Sequence, residues 1–203
     1  MNTIKNGYAA VQSSRSKATE RLGRRLFNTY NRISLGLVGE PLAGVNVDLG
    51  AGNRGFSCAC EERGVESHPL DYPDFDLESS DIPLPDGSVD FATMNAVMEH
   101  IASPGHTLSE VRRTLRRGGL LFIRTPNWRI DYRDFYNDPT HVKPYTPKSL
   151  RLTLSLSSLS PVFIEPGLVE RAWFWWRLPD SIKWTVASHL RGGTKSIIAV
   201  ART

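Results

Sequence analysis

No run of apolar residues in this chain is long enough to cross a bilayer. Its opening segment, MNTIKNGYAAVQSSRSKATERLGRR, has no apolar core of signal-peptide length. Cysteine is almost absent. Cys58 and Cys60 stand two apart on an expected helix and point in different directions, which excludes a disulfide framework, and they lack the partners of a zinc site. Buried, reduced thiols fit a cytoplasmic protein. Internal repeats, low-complexity tracts and an evident cluster of metal ligands are also missing, so a metal-independent protein is expected. What remains, 203 residues of which 40% are hydrophobic, suffices for one sizeable core.

The net charge of +4 is unevenly spread. Residues 1–32 carry Lys5, Arg15, Lys17, Arg21, Arg24, Arg25 and Arg32 against Glu20, whereas residues 48–90 carry eleven acids against Arg54 and Arg63. The basic residues are scattered over expected helices, which reads as solvated faces rather than a nucleic-acid interface. The cluster Arg112, Arg113, Arg116 and Arg117 is read in the same way.

Residues 15–35 place Leu22, Leu26, Phe27, Tyr30 and Ile33 at helical spacing. Residues 1–40 therefore read as an N-terminal helical extension and 41–203 as the main domain. Expected strands are GVNVDLG, VESHPLDY, more weakly FDLES, then VDFATMN, LLFIRTP, VFIEPGLVERAWFWW and SIIAVART, the last two a hairpin-like pair around a short helix near 179–190. FSCACEERG, SPGHTLSEVRRTLRRGG and TPKSLRLTLSLSSLS read as helices, the third capped by Thr146 with Pro147 first. Strands alternating with helices over 45–126 imply βαβ units and a parallel sheet. The long aromatic and polar loop NWRIDYRDFYNDPTHVKPY interrupts this rhythm, and loops of such length are often functional.

Gly50, Gly52 and Gly55 have the G-x-G-x-x-G spacing of a dinucleotide-binding turn between strand and helix. On their own they fit NAD, FAD or a nucleoside, and Asp71, after the next strand, could take ribose hydroxyls in each case. Asp48 discriminates. A carboxylate two residues before the turn opposes a pyrophosphate and favours a ligand carrying ammonium and sulfonium groups. An aspartate hydrogen-bonded to its own turn is the alternative.

VDLGAGNRG, then Asp71, then DIPLPDGSVDFATMNAVMEHI, then SEVRRTLRRGGLLFIRTPN resemble, in order and spacing, the successive motifs of class I S-adenosylmethionine-dependent methyltransferases. The resemblance covers about residues 45–127 and implies an α/β fold, a doubly wound, mostly parallel seven-stranded Rossmann-like sheet with an antiparallel last strand, with a cofactor half at 45–127 and an acceptor loop and C-terminal part at 128–203. It implies that Asp48 and Gly50 lie by the methionine part, Gly52 under the ribose and Asp71 on its hydroxyls. Asp81 with Ile82 would frame the adenine, and Asn95 would line the methionyl side. One departure stands out. Where the family has its third glycine this chain has Arg54, and Gly55 follows one later.

Methyl transfer of this kind is an in-line displacement, in which the protein mainly positions the reactants. An alcohol acceptor also needs a base. His141 in NDPTHVKPY is the candidate, with Asp138 three residues earlier to orient it and His100, next to Glu99, as its rival. The loop DYRDFYNDPTHVKPYTP, within the acceptor part at 128–203, resembles a segment of bacterial methyltransferases associated with sugars and polysaccharide assembly, which implies a small-molecule or saccharide acceptor; no nucleic-acid partner is expected. A non-catalytic cofactor-binding relative acting in a complex and a dinucleotide-dependent oxidoreductase are the other function classes. Trp173, Phe174, Trp175 and Trp176 would cover both faces of a strand, so one face could sit at a lipid surface, as a weak membrane-surface contact, or at a partner subunit, aided by the basic N-terminal helix; an edge strand packed under the preceding helix is the alternative.

Overall fold

The computed structural model describes residues 16–167, 178–179, 182 and 195–203. The aromatic stretch 173–176 and most of the expected helix at 179–190 lie outside the described residues. The first helix, α1 (Lys17–Val38), begins at Ser16, whose side chain and that of Thr19 cap each other's backbone reciprocally, and ends at Gly39 with φ 77°. The strands are β1 (Val45–Leu49), β2 (Glu66–Leu70), β3 (Val89–Asn95), β4 (Leu115–Pro126), β5 (Ser160–Pro166) and β6 (Ser196–Arg202). Further helices are α2 (Gly55–Glu61), α3 (Gly105–Thr114), the single turn α4 (Trp128–Asp131) and α5 (Pro147–Leu156). Thr146 and Ser149 form the expected cap of α5.

The sheet order is β2-β1-β3-β4-β6-β5. Strands β1 to β4 run parallel, β6 is antiparallel to β4, and β5 pairs antiparallel with β6. Rossmann-like architecture with an antiparallel last strand is thus as expected, but six strands rather than seven are present among the described residues. The missing one is FDLES. There the Asp76 carboxylate accepts from Glu78 N at 3.0 Å and the Asp76 carbonyl from Ser80 N at 2.8 Å, a turn that spends the backbone groups a ladder would need. Phe75, buried, anchors it to the core.

Side-chain alternation along β4 divides the interior. Leu120 and Phe122 meet Leu26, Phe27, Tyr30 and Phe56, while Leu121 and Ile123 meet Leu108, Val111, Leu150 and Leu154 on the other face. Residues 17–38, set apart above as an extension, are therefore a packed layer of the domain. Tyr30 is wholly buried and stacks on Phe122 with centroids 4.9 Å apart. Two glycines set how closely α1 approaches. A Cβ on Gly23 would lie 1.9 Å from the Gly55 carbonyl oxygen, and one on Gly55 would lie 2.7 Å from the Thr19 carbonyl oxygen. Gly55, read above as the third glycine of a ligand turn, serves this crossing.

The arginine cluster divides as well. Arg112 is exposed on α3 and Arg116 and Arg117 are exposed at the start of β4, but Arg113 is not a solvated residue. Its guanidinium bonds Glu110 at 2.7 Å, Asp86 at 2.6 Å and the Ile82 and Leu84 carbonyls at 2.8 and 3.0 Å, fastening the 82–86 loop to α3.

Candidate active site

The chain leaves β1 for β2 on one side and returns to β3 on the other, so strand order reverses between β1 and β3. In open α/β sheets ligands bind beyond the carboxyl ends of the strands at such a point. Residues 50–54 and 96–100 lead away from those two ends. They pack tightly, for a Cβ on Gly50 (φ 67°) would meet the Val97 side chain at 2.4 Å. Gly52 also has positive φ, and its N–H donates to the Asp71 carboxylate at 2.8 Å. Arg54 stands at φ 60°, so the backbone keeps a glycine-like conformation at the position where the family has glycine. Ala96, at φ 57° just past β3, is a second strained non-glycine residue there.

Asp48 does not face the crevice. It is 2% exposed, one carboxylate oxygen accepts from Ser57 Oγ and the other from Thr93 Oγ1, each at 2.8 Å. Burial, only partly offset by those bonds, pushes its carboxyl up to about 6. Asp48 is therefore enclosed between α2 and β3, on Ser57 and Thr93. Asp71, half-buried at the end of β2, is also raised by burial, with the N–H groups of Tyr72 and Gly52 opposing. At the end of β3 Asn95 accepts from the Tyr30 hydroxyl at 2.5 Å, while its buried Nδ2 has no hydrogen-bond partner.

Asp48, Gly50, Gly52, Asp71 and Asn95 are thus brought to one end of the sheet. The other two predicted residues differ. Asp81 is exposed and 3.6 Å from His106, and Ile82 is buried in the core with its N–H on Glu110 at 2.9 Å. Ile82 offers no open apolar face.

The second cluster is built by the loop after β4. Val142 and Lys143 donate backbone N–H groups to the Glu99 carbonyl at 2.9 and 3.0 Å, stapling the loop to the short 3-10 turn Met98–His100. This turn, not the start of α3, holds His100. The His100 and His141 rings come within 4.8 Å of each other. Orientation differs from expectation. His141 Nδ1 lies 2.7 Å from the Phe135 carbonyl oxygen, whereas Asp138 Oδ2 stands 3.8 Å from Nε2. Asp138 Oδ1 instead accepts from the Thr140 N–H and hydroxyl at 2.9 and 2.6 Å, and Thr140 meets His100 Nδ1. Asp138 thus positions His100 through Thr140, and the Phe135 carbonyl orients His141.

Several residues here were not foreseen. Glu99 is 1% exposed. Thr125 donates to its Oε2 at 2.9 Å, its Oε1 has no hydrogen-bond partner, and burial pushes the carboxyl up to about 7. The buried Tyr145 hydroxyl and Asn127 Nδ2 also lack hydrogen-bond partners, and burial and the Glu99 charge push the Tyr145 phenol up. Lys195 pairs with Asp131 and Asp134 and so ties the loop to the start of β6. A carboxylate within an apolar helix-start string was the one available signal for Glu99. For Tyr30 there was none, because helical spacing marks a core residue.

The fold is Rossmann-like, and a second cluster of titratable groups stands beside the strand ends where the order reverses. A family described as methyltransferase domain matches residues 19–157, more than half of the chain, and the chain belongs to that family. The class I S-adenosylmethionine-dependent methyltransferase resemblance of the motifs therefore holds at the level of family and fold. Over 101 residues the chain is 39% identical to an uncharacterized 37.1 kDa protein of transposon Tn4556 from Streptomyces fradiae, covering 47% of this chain and 29% of that protein. Over 110 residues it is 37% identical to a probable S-adenosylmethionine-dependent methyltransferase of Mycolicibacterium smegmatis, covering 49% and 42%. The chain spans less than half the length of the curated relatives it matches. Among solved structures it is similar in fold to a SAM-dependent methyltransferase from Archaeoglobus fulgidus (TM-score 0.62, 21% identity, 89% of this chain and 94% of that one). A Haloferax volcanii putative methyltransferase, solved with the Trm112 activator, is similar too (TM-score 0.67, 15% identity, 98% and 96%).

Proposed function

We propose that this domain binds S-adenosylmethionine in the β1/β3 crevice and transfers its methyl group to an oxygen of a small-molecule or saccharide acceptor. The observation that carries the reading is the Asn95 amide. It is a buried donor without a protein partner at the strand end where the order reverses, which supports a ligand acceptor there. Asp71 and the Gly50–Gly52 turn are the residues to hold the ribose and let the backbone approach it closely. The buried Asp48 anion favours a cationic methionyl group there and disfavours a pyrophosphate. When bound, S-adenosylmethionine supplies a methyl group already activated by its sulfonium. Asp81 is assigned to the adenine side as an exposed polar contact, with Ile82 setting the backbone of that loop.

The acceptor enters beside His141, His100 and Glu99. With His141 Nδ1–H donated to the Phe135 carbonyl, Nε2 keeps its lone pair and takes the acceptor proton, and the Asp138 carboxylate stabilises the resulting imidazolium. Half-exposed Tyr132 and Tyr136, with Trp128 packed edge-on against Tyr136, offer aromatic faces next to carboxylates, a combination suited to a sugar ring. The test is transfer of labelled methyl from S-adenosylmethionine to a panel of saccharide and small alcohol acceptors. His141→Ala should lower turnover by about 10²–10⁴ with S-adenosylhomocysteine affinity unchanged. Full turnover in that variant would remove His141 from the reaction.

A further inference from the structure

The arrangement of Glu99, His100 and His141 has a chemistry beyond proton transfer. One donor atom from each lies within 4.8 Å of the others, although His141 is separated from the other two by about forty residues of chain. The imidazoles are held in a common way. His141 Nδ1 meets the Phe135 carbonyl at 2.7 Å, and His100 Nδ1 meets the Thr140 carbonyl at 3.2 Å and the Thr140 hydroxyl at 2.9 Å. A histidine whose Nδ1–H is donated to a backbone carbonyl presents a basic Nε2 in a fixed direction, which is the usual outer support of a metal-binding imidazole. The third donor carries an independent sign. Glu99 Oε1 is sealed from solvent in a residue that is 1% exposed and has no hydrogen-bond partner, while Thr125 holds the other oxygen. A buried carboxylate oxygen without a donor calls for a cation or a proton.

Against the metal-independence expected from the sequence, we propose that Glu99, His100 and His141 together bind one divalent transition-metal cation, with coordination positions left open for the acceptor. Two imidazoles and one carboxylate suit zinc, manganese or cobalt, whereas magnesium and calcium prefer all-oxygen sites. Bonds of about 2.1 Å require donors about 3–3.5 Å apart, so small side-chain rotations complete the site. The inference rests on the acceptor reading above and changes how the oxygen is activated. The cation holds and polarises the acceptor hydroxyl, and His141 serves as ligand rather than base. The O–H bond breaks with its proton passing to water, the new C–O bond forms, and the methyl–sulfur pair stays on sulfur.

The test uses chelator-treated full-length protein titrated with Mn²⁺ alone, followed by electron paramagnetic resonance, and with Zn²⁺ alone by calorimetry. One site per chain is expected. Glu99→Gln and His100→Gln should each weaken it by at least tenfold, as should His141→Ala, and His68→Ala, which removes a half-exposed histidine on β2 paired with Glu66, should not. Thermal melts establish that each variant is folded, and the conservative glutamines serve if His141→Ala is not. No site in the wild type, or equal binding by the Glu99 and His100 variants, overturns the metal inference. S-adenosylhomocysteine titrated in parallel tests the cofactor reading separately, since the residues assigned to that ligand are Gly50, Gly52, Asp71 and Asn95.

Discussion

Replacing Asp48 by Asn should make the protein more stable and a poorer cofactor binder at once. The Asp48 carboxyl, 2% exposed, titrates at about 6 instead of 3.8 because burial disfavours its charge. The folded state therefore holds this proton more tightly than the unfolded state does. Its contribution to stability is complete below pH 3.8 and is lost as pH rises through about 6. A shift of about two units corresponds to about 3 kcal/mol lost at pH 8, and to about half of that at pH 5. Asparagine has the same shape, accepts from one of Ser57 and Thr93, and donates to the other once that hydroxyl rotates. Allowing for imperfect exchange of these bonds, a gain of about 1–3 kcal/mol is expected at pH 8, with the melting temperature raised by roughly 2–4 °C per kcal/mol. Denaturant unfolding at pH 5 and pH 8 measures it, and the gain should shrink at the lower pH. S-adenosylmethionine affinity should fall in the same variant by about 1–2 kcal/mol, the range for removing one shielded charge. A variant less stable than wild type at pH 8, or equally changed at both pH values, would refute the argument that the fold carries an ionised Asp48 at a cost.

Gly23→Ala would drive a methyl group into the Gly55 carbonyl, 1.9 Å from the ideal Cβ, and should destabilise by about 3 kcal/mol or more in thermal melts while loosening the glycine turn. Arg54→Gly relieves the φ of 60° at the family's glycine position, and a gain of up to about 1 kcal/mol is expected because the exposed Glu61 pair it loses is weak. Tyr30→Phe removes the donor to Asn95 Oδ1 and leaves that acceptor unsatisfied, so stability should fall by about 1–3 kcal/mol. Calorimetry should show weaker S-adenosylhomocysteine binding as the Asn95 amide loses its fixed orientation.

Periodicity exposed most of the fold. Apolar runs located β1, β3 and β4, and the Ser/Thr and Pro signals located the start of α5, because these features record local backbone chemistry. FDLES misled because Asp76 and Ser79–Ser80 satisfy their backbone groups within a turn, which a short β-like string does not reveal. In the site, motif order singled out Asp71, Gly50 and Asn95, and the structure brings them to one end of the sheet. Asp48 was read as facing the ligand turn, but its carboxylate is buried on Ser57 and Thr93, long-range partners that its position in the sequence does not reveal. The partners of His141 were misread for a similar reason. Three-residue spacing brought Asp138 near, but the Phe135 carbonyl, fixed by the fold of the loop, reached Nδ1 first. Glu99 and Tyr30 acquire their roles only from long-range packing.

The account's central claim is that the β1/β3 crevice is built for an adenosyl ligand with a cationic methionyl group. Titration calorimetry with S-adenosylhomocysteine, NAD and NADP, on the wild type and Asp71→Ala side by side, tests it most directly. Binding of S-adenosylhomocysteine in the micromolar range is predicted, about −7 to −8 kcal/mol, reduced by about 1.5–3 kcal/mol when Asp71 is removed, with no comparable heat from either dinucleotide. Tight binding of NAD or NADP with no S-adenosylhomocysteine binding would contradict it.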